Sequence, residues 1–246
     1  MGINQPIGDI PMATAAETLA QLESLGTEQT RKTWRRHGVG DNQYGVSYGD
    51  MGKLKKKIKT DNDLALKLWA SGNHDARILA LMIADPAQAD PATLDSWARE
   101  LTNYVITDAF STYVGQTPLA RAKAEQWIEA DDEWTADAGW SLIGRLAASD
   151  SSLPDSYFTA YLARIARDLH SSKNRVRHAM NNAVIAIALR NEALEAQAIA
   201  TATQIGKVVV DHGETNCKTP AAIPYIEKTK ARSAAHYAEK AAKQKA

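Results

Sequence analysis

Cysteine is nearly absent from this chain: Cys217 is the single one among 246 residues. One thiol builds no disulfide framework and no Cys-rich zinc module. Phenylalanine is down to two residues and valine is sparse, which removes much of the β-branched and aromatic stock that strands draw on. No run of about 18 apolar residues occurs, so no membrane span is expected. Charge of one sign is missing too. Lys plus Arg is 29 and Asp plus Glu is 29, a formal net charge of zero. That excludes a uniformly basic, histone-like protein, but not a local basic groove balanced by acid elsewhere. Met1 to Pro11 holds no Lys or Arg and no apolar stretch, so no secretory signal is expected there. No Gly-x-Gly-x-x-Gly and no Walker lysine motif is present, so no nucleotide cofactor is signalled. The default is a soluble cytoplasmic protein.

What the chain does contain is alanine, roughly one residue in six, the best helix former. Leu94, Trp97, Ala98 and Leu101 are spaced i, i+3, i+4, i+7, which lines one helix face with apolar groups. Ile78, Leu81 and Met82 repeat the pattern, as do Leu162, Ile165, Ala166 and Leu169. Val208-Val209-Val210 is the only β-like run, too short and isolated to build a sheet. Breakers recur at Gly72-Asn73, Asp85-Pro86, Asp90-Pro91, Thr117-Pro118, Asp131-Asp132, Leu153-Pro154 and Ser171-Ser172. Segments of about 10 to 18 residues lie between them, an ordinary helix length. The pattern predicts about ten to thirteen helices.

Stacking the segments exposes a repeat. LALKLWASGNHDARILALMIA from Leu64, LDSWARELTNYVITDAFSTYV from Leu94, AKAEQWIEADDEWTADAGWSLIG from Ala122 and YLARIARDLHSSKNRVRHAMNNAVIAIA from Tyr161 each read as helix, polar loop, helix. Trp69, Trp97 and Trp127 fall near the end of the first helix, 28 and 30 residues apart. Helix pairs at this period predict an all-α architecture. The expected form is an α-solenoid of HEAT-like repeats forming a curved superhelix with a concave binding groove. A plain irregular helical domain is the alternative. The domain expectation is one HEAT-like-repeat domain over 1–246, with a repeat core at about 15–205, a polar loop at 206–219 and a basic helix or tail at 220–246. The second helix of each pair should line the inner surface. It carries His74 and Arg77, Tyr104 and Asp108, Trp134 and Asp137, then Arg175, His178 and Asn182.

Two basic clusters lie early in the chain. Arg31, Lys32, Arg35 and Arg36 surround Trp34, and Lys53, Lys55, Lys56, Lys57 and Lys59 follow. Such groups release counterions on meeting phosphates, which drives salt-dependent nucleic-acid binding. Taken alone, a solvated helix face is the favoured explanation of these clusters. Tyr104 and Asp108 are four apart and share a helix face. A ring beside a carboxylate suits a sugar and a developing cation; the ordinary alternative is a packed tyrosine and an ion-paired aspartate. The six histidines are scattered, with no helical His-x3-His pair. His212 and Cys217 are too few for a structural zinc site, so no metal is expected.

Four stretches together carry a resemblance: YGVSYGDMGKLKKKIK from Tyr44, LALKLWASGNHDARILALMIAD from Leu64, LDSWARELTNYVITDAF from Leu94 and WIEADDEWTADAGWSLIG from Trp127. Over roughly residues 15 to 205 the chain resembles the AlkD-like DNA alkylation repair family, HEAT-like-repeat DNA glycosylases. The resemblance implies hydrolysis of the N-glycosidic bond of cationic N3- and N7-alkylated purines in double-stranded DNA, without a cofactor or metal, by a monomer associated with the nucleoid. Asp108 falls at the family's catalytic Asp, which stabilises oxocarbenium character at the sugar and positions water. Tyr104 falls where the first Trp of the aromatic cleft is expected. Asp137 stands where an Arg is expected, and Asn182 where the second Trp is expected; Trp134 or Trp140 is a candidate replacement wall. Arg31, Lys32, Arg35, Arg36, Lys53, Lys55, Lys56, Lys57 and Arg175 are the expected backbone contacts. Three readings follow: an alkylpurine DNA glycosylase, a non-catalytic solenoid binding branched or damaged DNA, and a protein scaffold.

Overall fold

A computed structural model describes the backbone of residues 14–243 and the side chains of residues 14–232. Among the described residues there are thirteen α-helices and no strand. Met1 to Pro11, where no signal is expected, lies outside them. The chain divides after Gln88 into two compact units. The first holds α1 (Ala15–Leu25), α2 (Glu28–Arg36), α3 (Tyr48–Ile58), α4 (Asn62–Ala70) and α5 (His74–Ile83). The second holds α6 (Pro91–Ala98), α7 (Tyr104–Val114), α8 (Ala120–Trp127), α9 (Glu133–Ser149), α10 (Asp155–Asp168), α11 (Asn174–Ala188), α12 (Glu192–Ile205) and α13 (Ala222–Lys243). No described helix is long and apolar enough to cross a membrane.

The breakers in the sequence become helix starts through side-chain caps. Asn73 accepts from the first-turn amides of α5, Asn103 from those of α7, and Asp132 from Thr135 N in α9. Asp90 caps α6 with Pro91 just inside it. Each cap satisfies amides that have no partner in the helix and is worth about 1 kcal/mol.

The tryptophan register predicted from spacing holds. Trp69, Trp97 and Trp127 end α4, α6 and α8, and all three are buried. Each is followed by a polar loop and a second helix, α5, α7 or α9. Within the second unit the second helices pack side by side, α7 on α9 and α9 on α11. The core is aliphatic with a few large rings, Trp140, Phe110 and Phe158 among them. At Gly139 the helices touch without a side chain between them. A Cβ there would lie 2.6 Å from Ile128 N and 2.8 Å from Trp127 C. Gly139→Ala is therefore expected to lower the melting temperature by roughly 4–8 °C, about 2 kcal/mol, despite alanine's better helix propensity. A thermal melt followed by circular dichroism checks this; an unchanged or higher midpoint contradicts the close approach.

In the first unit, the loop before α3 wraps the Asp75 carboxylate. It accepts the amides of Tyr44 at 2.6 Å, Gly45 at 3.0 Å and Val46 at 2.9 Å. Gly45 has φ +78, and a Cβ there would press on Arg31 Cγ at 2.5 Å, so both backbone and space demand glycine. This is the structural work of the Asp in the His74-Asp75-Ala76-Arg77 stretch.

Candidate functional site

Two capped helix starts, and a third held by a neighbouring helix, deliver the polar residues of the second unit. The Asn103 cap sets Tyr104 in the first turn of α7 and Asp108 one turn on. Asp132 does the same for Trp134 and Asp137 on α9. The start of α11 is fixed by Glu133, whose Oε1 accepts Arg175 N at 2.6 Å. Arg175 is buried and its guanidinium carbon lies 4.4 Å from the centre of the Tyr104 ring, a cation–π contact.

Asp137 is 2% exposed. Its Oδ1 receives a long bond from Ser141 Oγ at 3.5 Å, and Oδ2 has no partner. Burial pushes its pKa up to about 8, with Arg175 pulling the other way and Asp108 adding to the rise. It is therefore largely a neutral acid at pH 7. Asp108 faces water, yet protein crowds round it. Accessibility decides what can touch it and crowding decides its electrostatics. A ligand can reach this carboxylate, and its pKa is raised by desolvation against the pull of Arg175 and Arg145. Arg145 donates to Thr112 Oγ1 at 2.6 Å and toward the Asp108 carbonyl at 3.4 Å.

The loop at 206–221 straps this cluster. Asn174 exchanges two bonds with the backbone of Asp211, at 2.8 and 2.7 Å. Asn181 donates to Pro220 O at 3.0 Å. Thr219 Oγ1 sits between His212 Nε2 at 2.9 Å and His178 Nδ1 at 3.4 Å, and Arg175 points an amine at His212 Nδ1 at 3.5 Å. Burial, then the Arg175 charge, lowers His178 to about 4. Burial and the neighbouring Cys217 push the Tyr104 hydroxyl up to about 12. Cys217 itself is exposed.

The sequence-predicted residues thus divide. Tyr104, Asp108, Asp137 and Arg175 come together. Trp134 is half-buried and Asn182 is exposed on α11, while Trp140 is 1% exposed and packs edge-on against Tyr161. In the first unit Lys32, Arg36, Lys55, Lys56 and Lys57 are exposed and make no ion pair among the described residues. Arg35 pairs with Glu28 and Asp41, Lys53 with Asp50, and Arg31 reaches Glu28 and the Tyr44 carbonyl. No group of three or more potential metal-ligating side chains occurs among the described residues. Reading the sequence missed the strap. Its signal was there in His212, Thr219 and the lone Cys217, but the α11 partners lie 37 residues away at Arg175 and 41 at His178, and Tyr104 is further still.

The family model for "DNA alkylation repair enzyme" matches residues 18–238. The chain belongs to this family. The match runs past the 15–205 of the sequence resemblance and takes in the strap and part of α13. This family member is 31% identical over 227 residues to an uncharacterized protein of Listeria innocua, covering 90% of the chain and 99% of the relative. A second uncharacterized protein, from Listeria monocytogenes, is also 31% identical, over 228 residues, with 90% and 100% covered. A solved structure matches at TM-score 0.83 and 29% identity over 90% of this chain and 95% of that one. It is described as "a new family of proteins related to the HEAT-like repeat DNA glycosylases with affinity for branched DNA structures". The helix pairs of this alkylation repair family member are accordingly HEAT-like repeats of an all-α fold.

Proposed function

We propose that this protein binds DNA by shape and phosphate contact, preferring branched or distorted DNA, and that its α7–α9–α11 cluster is not set for glycosidic hydrolysis. The observation that carries this reading is the Arg175 guanidinium 4.4 Å over the Tyr104 ring. A glycosylase of cationic purines needs an open aromatic face and an unneutralised carboxylate beside it. Here a buried cation already covers the ring and repels a second one. Arg175 and Arg145 also offset the charge of Asp108. The branched-DNA affinity of the solved relative supports the choice of partner. The unpaired cations of the first unit supply phosphate contacts.

The test is a salt titration of binding to a four-way junction and to a linear duplex of equal length. The expected result is tighter junction binding and a plot of log K against log salt falling with a slope of about −3 to −5, one phosphate per unit. Equal affinity for both, or a flat slope, refutes the reading.

A second reading keeps one observation in its favour. The Asp108 carboxylate is reachable and accepts no hydrogen bond among the described residues. In that reading Asp108 stabilises the sugar cation of an alkylated nucleotide once the strap opens. Asp108→Asn then abolishes release of N7-methylguanine or N3-methyladenine from duplex DNA; unchanged release removes the role.

A further inference from the structure

One run in the strap has a strand's composition and no strand beside it. Lys207-Val208-Val209-Val210-Asp211 follows the end of α12 and is neither helix nor turn. Its exposure alternates, with Lys207, Val209 and Asp211 open and Val208 and Val210 half-buried, which is the period of extended chain. Both ends are pinned. His170 Nε2 meets Ile205 O at 2.7 Å just before the run, and Asn174 holds the backbone of Asp211 at its end. Between these anchors the backbone N–H and C=O groups of residues 207–210 make no hydrogen bond among the described residues. Val209 is 62% exposed, the most open large apolar side chain among them. Three successive valines favour a strand, and a strand is stable only against neighbours. Among the described residues the fold supplies none.

Asp211 shows which edge is open. In extended chain the N–H and C=O of one residue point to one edge, and those of the next residue to the other. Asp211 gives both to Asn174, at 2.7 and 2.8 Å. Val208 and Val210 therefore turn theirs to the opposite edge. About Val209 the run is its own complement: Val208 mirrors Val210, and Lys207 mirrors Asp211. In an antiparallel pair with a second copy, Val208 of each chain exchanges two backbone bonds with Val210 of the other. Val209 meets Val209 on a two-fold axis. Lys207 of each copy then faces Asp211 of the other at a close, non-hydrogen-bonded position, with Cα atoms about 4.5 Å apart. Neither residue has an ion pair within its own chain among the described residues. Asp211 Oδ1 accepts Gly213 N at 2.8 Å, which leaves Oδ2 for the lysine. A parallel pair in register would set Lys207 against Lys207 and Asp211 against Asp211, which is repulsive.

We infer that Lys207–Asp211 is a self-association edge, where two copies of this chain pair antiparallel about Val209 into a two-fold dimer. Strand addition of this kind takes its affinity from main-chain hydrogen bonds and its register from side chains. Here the two Lys207–Asp211 pairs fix the register, since a slip by one residue breaks both and turns the other face of the run outward. Each copy has one open edge, so the pairing closes at two chains. Five residues a side cover much less than the roughly 800 Å² per partner of a standard interface. The dimer is accordingly weak and forms as concentration rises. The inference does not depend on the DNA-binding reading.

The experiment is sedimentation equilibrium of the full chain, without DNA, from about 5 to 500 µM. The average mass should rise from that of one chain toward that of two, with a dissociation constant of roughly 10–300 µM. Val209→Asp puts two like charges on the axis, and Lys207→Asp and Asp211→Lys each make both cross-strand pairs repulsive. All three sites are exposed, and each variant should weaken the dimer by about tenfold or more. The deciding sample is an equal mixture of Lys207→Asp and Asp211→Lys chains. Each lysine again faces an aspartate, so the mixture should recover a dimer that neither variant forms alone. A single-chain mass at every wild-type concentration overturns the inference. So does a dimer unaffected by the three variants, or a mixture that stays monomeric. A monomer that instead takes up a labelled Thr-Val-Thr-Val-Thr peptide at this edge would make it a docking site for another protein's strand, and overturns the self-pairing too.

Discussion

Asp137→Asn is expected to raise the melting temperature at pH 9 by roughly 6–12 °C, about 3 kcal/mol, and to change it little at pH 4. The carboxyl is buried with an oxygen that has no partner, and its folded pKa is about 8. An unfolded aspartate titrates near 4. Between those values the folded chain keeps a proton that the unfolded chain has released. Stability from this group is therefore complete below about pH 4 and is lost as pH rises through about 8. Asparagine stays neutral throughout and escapes that loss. The readout is the gap between wild type and variant at the two pH values, followed by thermal melts in matched buffers. A gap of the same size at both, or a less stable variant at pH 9, shows that Asp137 is charged and compensated in the fold.

The second large effect belongs to Asp75. Its carboxylate takes three backbone amides from a loop some 30 residues earlier. Asp75→Asn replaces one acceptor oxygen with a donor and turns it against an N–H. Leaving buried amides unpaired, with the charge lost as well, is expected to cost the first unit about 3–4 kcal/mol. Hydrogen exchange reads this locally: the amides of Tyr44, Gly45 and Val46 should lose roughly a hundredfold or more of their protection. Unchanged protection at those three positions would mean that other contacts hold the loop.

The helices were legible because their signals are local. Asn73, Asp90, Asn103 and Asp132 sit at breakers and cap the helices that follow. The Trp69, Trp97 and Trp127 register was legible for the same reason, since one helix turn decides whether such a ring faces inward. The site was legible only as a set of positions. Spacing along α7 puts Tyr104 and Asp108 on one face, but no local rule says that Arg175 will occupy the ring from another helix. Burial of Asp137 also depends on neighbours distant in sequence. The strap was least legible, because a loop has no period. Its place is set by side-chain bonds from Asn174, His178 and Asn181 to residues 37 to 41 positions later. The HEAT-like repeat pattern thus came from period, and the closure of the cluster came from contacts that period does not encode.

The closed cluster also orders the two functional readings. In the proposed reading, the guanidinium seated on Tyr104 and in contact with His212 of the strap stands against the approach of a cationic base. Shape recognition by exposed lysines needs no such opening. The most direct measurement is single-turnover release of N7-methylguanine from a methylated duplex, with the protein in excess and bound. The account predicts release at the uncatalysed rate while the same preparation still binds junction DNA. Release accelerated by a factor of about a thousand or more, and abolished in Asp108→Asn, would show the ring and carboxylate at work on the glycosidic bond and would contradict it.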